Sequence, residues 1–361
     1  MERPGPLPGR GTASNPENRY EQLHVAPEPD GDVEGNAEGA AEGDAAAPTL
    51  FYRDASRSVL AENDSPDVGF RFSLNPYRGC EHGCIYCYAR PSHEYLSFSA
   101  GLDFERRIMV KEDAPELLQR TLASPRWVPQ TVALSGNTDC YQPVERRLEI
   151  TRRCLGVFRD FMNPVAIVTK SALVTRDIDL LAPLAAAAAA HVLVSVTSLD
   201  GELARRMEPR AARPEKRLDA IRALSAAGVP TAVMIGPVIP GLNDEEIPRI
   251  LQAGAAAGAC SASWNLLRLP RPVDALFTEW LTRHFPERRE RVLGRIRECR
   301  DGHMTDTRFG RRMRGQGVYA EQIAALFHAA ARRYGLQEPL PPLSVAAFHR
   351  PPRAGEQLRL C

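Results

Sequence analysis

The sequence predicts an α/β fold built on a parallel sheet of six strands. Three observations carry this. Six short, near-continuously apolar segments recur along the chain, stretches of helical periodicity separate them, and turn formers mark the junctions. With 361 residues and 43% apolar composition, the chain can fill a sizeable core.

The elements follow in order. Phe70–Leu74 alternates with period two and reads as the first strand. Ala114–Leu122 reads as a helix with Pro115 in its first turn. Thr131–Leu134 is a strand. Val144–Phe161 is a helix with Leu148, Leu155 and Phe158 on one face. Val165–Val168 is a strand. Arg176–Ala190 is a helix that contains Pro183 and ends in six alanines. Val192–Val196 is a strand. Pro214–Ala227 is a helix that Gly228 suits as a C-terminal cap. Thr231–Ile235 is a strand. Asp244–Ala257 is a helix with Asn243 or Asp244 as N-cap. Ser263–Leu267 is the sixth strand. Beyond Arg268 three helices are expected, Asp274–Arg283, Glu287–Cys299 and Val318–Tyr334, with an Arg- and Gly-rich stretch, Gly302–Gly317, between the last two.

The two ends differ from this core. Residues 1–49 contain ten acidic and three basic residues among seven Gly, eight Ala and seven Pro. Such a segment cannot bury enough apolar surface to offset its ordering entropy, so a disordered acidic leader is expected. Residues 337–361 are Pro-rich and read as a mobile tail. The domain plan is therefore a leader (1–49), a core (66–300), and a basic helical extension with its tail (301–361).

Charge follows the same division. The whole chain carries +1 and residues 1–49 carry −7, which leaves +8 on the rest. Eleven arginines against five acidic residues lie within 283–314, which suits either a polyanion partner or a solvated helix face. No run of about 18 apolar residues exists, so no membrane span is expected. The N-terminal residues lack an apolar signal region. Five of the eight cysteines are scattered, which argues against a disulfide framework and for a reducing cytoplasm.

The other three form Cys80-Glu-His-Gly-Cys84-Ile-Tyr-Cys87, spaced C-x3-C-x2-C. Turn formers flank them, Asn75-Pro76-Tyr77-Arg78-Gly79 before and Tyr88-Ala89-Arg90-Pro91 after, so the motif lies in a loop. It follows a strand, at the carboxyl end where α/β sheets place their sites. Three thiolates fall short of the four that a structural zinc or a simple ferredoxin cluster takes. On a four-iron cluster they leave one iron open to a small molecule. On the residues alone, a zinc knuckle with a distant fourth ligand and buried free thiols are the alternatives, and His82 is a further candidate ligand or a solvated loop residue.

The spacing, with Tyr86 just before the third cysteine, resembles the cluster loop of radical SAM (S-adenosylmethionine) enzymes. Thr138-Asp139-Cys140-Tyr141-Gln142-Pro143-Val144-Glu145, after the second strand, resembles the T-D-x-Y-Q-P-x-E string of the branch around spore photoproduct lyase and DNA-repair-photolyase-like proteins. The likeness runs from about Asn75 to Arg268 and includes Thr169-Lys170-Ser171, Glu208-Pro209-Arg210 and Pro237-Val238-Ile239-Pro240-Gly241-Leu242-Asn243-Asp244. One departure is Cys140, where that branch would have proline.

The resemblance implies a partial (β/α)6 TIM-like barrel, a [4Fe-4S] cluster on Cys80, Cys84 and Cys87, and SAM on the open iron. It implies that Tyr86, Asn137, Thr138, Lys170, Ser195 and Glu208 bind the cofactor. It implies that Cys140 gives a hydrogen atom to a product radical, relayed by Tyr88 or Tyr141. Read without it, Lys170 is a solvated loop lysine, Ser195 a core serine, Glu208 a salt-bridge partner and Cys140 a small buried thiol. The implied chemistry is one-electron cleavage of SAM to methionine and a 5′-deoxyadenosyl radical that abstracts hydrogen from a substrate. The implied partners are an electron donor such as flavodoxin or ferredoxin, and a nucleic-acid lesion as substrate. A radical SAM enzyme of protein or small-molecule substrates, and a noncatalytic zinc-bound nucleic-acid module, are the competing readings.

Overall fold

The computed structural model describes residues 9–20 and 48–351. The strands there are β1 Leu50–Arg53, β2 Leu60–Glu62, β3 Phe72–Leu74, β4 Tyr77–Arg78, β5 Arg107–Val110, β6 Val132–Leu134, β7 Val165–Thr169, β8 Ala190–Ser195, β9 Thr231–Val238 and β10 Ser261–Leu266. Seven of them form one sheet in the order β10-β9-β8-β7-β6-β3-β2. From β3 to β10 every pairing is parallel, and β2 adds antiparallel to β3 at the edge. The six parallel strands are the six that apolar runs foretell, in chain order, as an open sheet with no pairing between β10 and β2.

The apolar character of these strands has a direct cause. Val165, Ile167, Val192, Val194, Val233 and Ile235 are all fully buried, since helices cover one face of the sheet and side chains fill the other. The helix Ile150–Phe161 buries Ile150, Cys154, Leu155, Phe158 and Phe161. Gly228 closes the helix Pro214–Ala226 with φ +75°, a conformation that costs glycine little.

Several expected elements are corrected. The helix expected over Val144–Phe161 is two pieces, Glu145–Leu148 and Ile150–Phe161, hinged at Glu149 with φ 52°. The Glu145 carboxylate explains the break: it accepts from the amides of Thr151 (3.0 Å) and Arg152 (3.3 Å), capping the second piece from within the first. The expected Arg176–Ala190 helix covers only Ile178–Ala186 after a 3-10 turn at Ala172–Asp177. Its last alanine pairs with Val165 as the start of β8, so sheet register overrides alanine's helix propensity.

A second, three-stranded sheet, β1-β5-β4, was not foreseen. It stands beside the cysteine loop, which leaves β4 directly. Residues 9–20 also depart from the expected disordered leader. Thr12 and Ala13 are buried, and the Gly11 and Thr12 amides donate to Glu105 at 2.9 and 3.1 Å. The rest of that leader, residues 1–8 and 21–47, lies outside the described residues.

The C-terminal segment joins the same core rather than standing apart. In the helix Val318–Arg333, Ala320, Ile323 and Phe327 are buried, and Phe327 packs 5.9 Å from the Trp264 ring of β10. The tail expected to be mobile is anchored as far as Arg350. Ser344 N donates to Ala188 O, His349 N to Phe161 O, and Arg350 to the carbonyls of Ser124 and Trp127. Residues 352–361 of that tail lie outside the described residues. Among the described residues, no helix is long and apolar enough to cross a membrane.

Candidate active site

The cysteine loop hangs between the two sheets and is pinned on almost every residue. Cys80 N donates to Phe104 O (2.9 Å) and Ile85 N to Met207 O (3.0 Å). Glu81 N donates to Gln142 Oε1 (2.9 Å), and the Glu81 carboxylate takes Val144 N (2.7 Å) and pairs with Arg210 (3.0 Å). Arg90, fully buried, donates twice to Cys84 O (3.0 and 2.9 Å) and pairs with Glu105 (2.6 Å). Gly83 holds φ +66°, and a Cβ there would stand 2.8 Å from Glu105, so the turn between the first two cysteines needs glycine. A loop held this firmly presents its thiols in one arrangement before any ligand arrives.

Cys80, Cys84 and Cys87 line one cavity of about 260 Å³ at the carboxyl ends of the strands. All three are free thiols. Burial pushes the Cys84 thiol up to about 12, and burial with the charge of Asp139 raises Cys80. Buried thiols of this kind become ligands by losing a proton to a metal that compensates the charge. Among the described residues no three His, Cys, Asp or Glu side chains are grouped so as to hold a single metal ion. The three sulfurs nonetheless share one cavity.

The rest of the lining is polar and incompletely satisfied. Lys170, at the end of β7, enters the cavity with its Nζ 5.8 Å from the centroid of the Tyr86 ring and no ion-pair partner among the described residues. Asn265 on β10 buries an Oδ1 that accepts no hydrogen bond among the described residues. Ser195, Asn137 and Thr138 also line the cavity. Arg268 stands 4.9 Å over the Tyr88 ring at its rim. Three thiols, an ammonium with no carboxylate at ion-pair distance among the described residues and an orphaned amide oxygen suit a sulfur-ligated cluster with a zwitterionic amino acid beside it, so the donor set fits the [4Fe-4S] cluster and SAM.

The expected site residues separate into two groups. Tyr86, Tyr88, Asn137, Thr138, Lys170 and Ser195 line the cysteine cavity. Glu208 does not, but it stands directly behind: its carboxylate takes the Tyr86 hydroxyl and Thr197 Oγ1 (2.6 Å) and pairs with the buried Arg217. It therefore fixes the ring that Lys170 faces. Ser195 Oγ donates to Gly236 O (3.2 Å), and Thr138 Oγ1 to Tyr77 O (2.7 Å), so each hydroxyl commits its proton to the chain and keeps its acceptor lone pairs.

Cys140 is placed differently. Its side chain is 0% exposed within the main apolar core, and it does not line the cavity. Tyr141 is likewise buried, with its hydroxyl on Asp177 (3.0 Å), and it borders a different cavity. The string that suggested both residues is a brace. Asp139 ties Thr169 Oγ1 (2.8 Å) and Lys170 N (2.7 Å), Gln142 holds Gly79 O (3.2 Å), and Glu145 takes the Tyr77 hydroxyl (2.5 Å).

Sequence reading missed Asn265 and Arg268 as lining residues. The one available signal was a polar asparagine within the apolar run of the sixth strand.

The structure thus places three loop cysteines at the carboxyl end of an open sheet whose strands β3 to β10 run parallel. Residues 74–253 match the radical SAM superfamily. An uncharacterized protein of Mycobacterium tuberculosis is 37% identical over 282 residues, which is 77% of this chain and 80% of that one. An uncharacterized protein of Methanocaldococcus jannaschii is 30% identical over 184 residues, 51% of this chain and 66% of that one. Spore photoproduct lyase complexed with dinucleoside spore photoproduct aligns with a TM-score of 0.49 at 16% identity, over 79% of this chain and 78% of that chain. The chain belongs to the radical SAM superfamily, whose members use a [4Fe-4S] cluster and SAM.

Lys170→Ala is expected to leave iron content unchanged and weaken SAM binding. A hydrogen bond to a charged group is worth about 1.5–3 kcal/mol, or about 10- to 150-fold in affinity. Equilibrium binding of SAM to the reconstituted protein measures it, and unchanged affinity removes Lys170 from the site.

Proposed function

We propose that this protein cleaves SAM reductively in the cysteine-lined cavity and acts by radical chemistry on a nucleic-acid lesion. The carrying observation is that Cys80, Cys84, Cys87 and the unpaired Lys170 face one cavity of about 260 Å³. With both groups bound, the cluster supplies the electron and SAM the 5′-deoxyadenosyl radical.

The chain's own residues then have definite tasks. Lys170 meets the carboxylate of SAM, and Tyr86, held by Glu208, gives that end of the cavity a fixed wall. Asn265 Oδ1 offers an acceptor on the opposite strand. Val68, Phe70, Met234, Pro237 and Met313 supply apolar lining that excludes water from a reactive carbon radical. Tyr88, which lines the cavity and donates to Gly136 O (2.6 Å), keeps the relay role that the resemblance implies for it.

The likeness to the photolyase-like string supports the lesion reading, and so does Arg268 at the rim. One observation favours a protein or small-molecule substrate instead. Much of the arginine-rich stretch is neutralised internally: Arg308 pairs with Asp306, Arg312 with Asp67, Arg283 with Glu279 and Arg295 with Glu298. Anaerobic turnover with a reductant and SAM decides between them. The lesion reading predicts more 5′-deoxyadenosine with ultraviolet-damaged DNA than with undamaged DNA, and equal yields exclude it.

A further inference from the structure

An open sheet leaves two unpaired edge strands, here β10 and β2. Residues 302–317 connect the surroundings of one edge to those of the other. On the β10 side the segment is built in. Met313 O accepts from Leu266 N (2.8 Å), Arg314 donates to Trp264 O (2.7 Å), and a Cβ on Gly315 would stand 2.6 Å from Leu266 Cδ2. On the other side the segment reaches the turn between β2 and β3. There Gly310 N donates to Asp67 Oδ1 (2.6 Å), and Arg312 donates to Asp67 Oδ2 and Ser65 Oγ. Between these attachments Met313 lines the cysteine cavity, with Val68 and Phe70 from the Asp67 side and Arg268 from the β10 side.

The two attachments differ in kind. The β10 side combines backbone bonding with close packing, whereas the Asp67 side centres on one carboxylate. None of residues 302–317 is buried, and Met304 is the one that packs against a buried apolar cluster. Gly302, Gly315 and Gly317, at the two ends, have φ of +84°, +75° and +84°. A stretch with little buried surface opens at low free-energy cost, so its polar contacts decide how often it does. The Asp67 and Arg312 side chains are 6% and 18% exposed, which shields the pair from water and makes it stronger than a surface ion pair.

We propose that residues 302–317 are a gate on the cysteine cavity, hinged along β10 and locked by Asp67 on Arg312, through which molecules enter and leave. Released from Asp67, the segment carries Met313 away from Val68 and Phe70 and uncovers the cavity between the two edges of the sheet. Closed again, it restores an apolar wall over the bound molecule and keeps water out. The gate rests on the reading that SAM binds in this cavity, and it is independent of which substrate follows.

Asp67→Ala tests this, with Asp67→Glu as the conservative control. A gate obstructs both directions, so unlocking it speeds SAM association and dissociation together and leaves the equilibrium affinity nearly unchanged. Stopped-flow mixing of SAM with the reconstituted protein should show both rate constants raised about tenfold or more in Asp67→Ala, the scale of a lost charged hydrogen bond, and close to wild type in Asp67→Glu. A second readout needs neither cluster nor SAM. Trypsin should cut the cluster-free Asp67→Ala protein after Arg308, Arg311 or Arg312 about tenfold faster than wild type, with cuts elsewhere unchanged. The proposal is overturned if neither SAM rate changes, or if dissociation alone rises, which marks a damaged wall rather than a gate. It is equally overturned if cleavage within 302–317 matches wild type or if cuts accelerate throughout the chain. Wild-type protein that binds no SAM contradicts the cofactor reading instead, and the cleavage pattern then decides the gate by itself.

Discussion

Alanine at Cys80, Cys84 or Cys87 is expected to leave a folded protein with little iron and no detectable SAM cleavage. The expectation rests on arithmetic: a four-iron cluster held by three thiolates has no spare protein ligand, and no other cysteine lines the cavity. Cys140, the next cysteine in sequence, is locked in the core with its amide on Ser135 Oγ (2.7 Å) and its carbonyl on Thr151 Oγ1 (2.6 Å). It cannot swing in as a substitute. The fold survives, because the loop is held through backbone groups and through Arg90, Glu81 and Gln142 rather than through sulfur. Iron and sulfide analysis after anaerobic reconstitution, with circular dichroism as the folding control, checks this. Wild-type protein should hold about four irons per chain. A Cys84→Ala protein with full iron content contradicts the assignment.

The second large effect concerns the buried pair behind Tyr86. Arg217→Met strips the counter-ion from Glu208, whose side chain is fully buried. Removing one partner of a buried ion pair costs about 3–5 kcal/mol, a large share of a typical folding free energy. The cost should depend on pH in a definite direction. In the native protein burial pushes the Glu208 carboxyl up, but Arg217, Lys170 and its hydrogen bonds more than offset this and hold it below its ordinary value. A carboxyl lowered in the folded state adds stability above its unfolded value and loses it as pH falls through the folded value. Without Arg217 burial prevails, the carboxyl rises, and the variant pays most where the unfolded carboxyl is ionised. The destabilisation should therefore be larger at pH 8 than at pH 5, as read from urea midpoints. A Glu208→Gln, Arg217→Met double variant should recover part of the loss, because no charge is left stranded. An equal deficit at both pH values contradicts this account.

What could be read from the sequence follows physical lines. The six parallel strands were legible because strands covered on both faces must be apolar throughout, and Val192–Val196 or Thr231–Ile235 have no other use for that pattern. The break at Glu149 was not legible, because it arises from a carboxylate that caps the next helix while bonding Tyr77 and Arg176. The packing of residues 9–20 was not legible either. It depends on amides meeting Glu105 and on Gly11 fitting against Gly83, not on apolar burial, so composition pointed the other way. In the site, the three thiols stood out by their spacing, C-x3-C-x2-C, whereas Lys170 stood out only through the family resemblance. Asp139 lines the cavity, yet its oxygens accept from Thr169 and the Lys170 amide, and Gln142 bonds the loop itself.

The central claim is that SAM sits directly on the cluster that Cys80, Cys84 and Cys87 hold. Electron paramagnetic resonance of the reduced, reconstituted protein, recorded without and with SAM, tests it most directly. The account predicts a [4Fe-4S]⁺ signal whose g values shift when SAM is added, with a smaller shift at the same SAM concentration in Lys170→Ala. A signal that SAM leaves unmoved, or a colourless protein with zinc in place of iron, would contradict it.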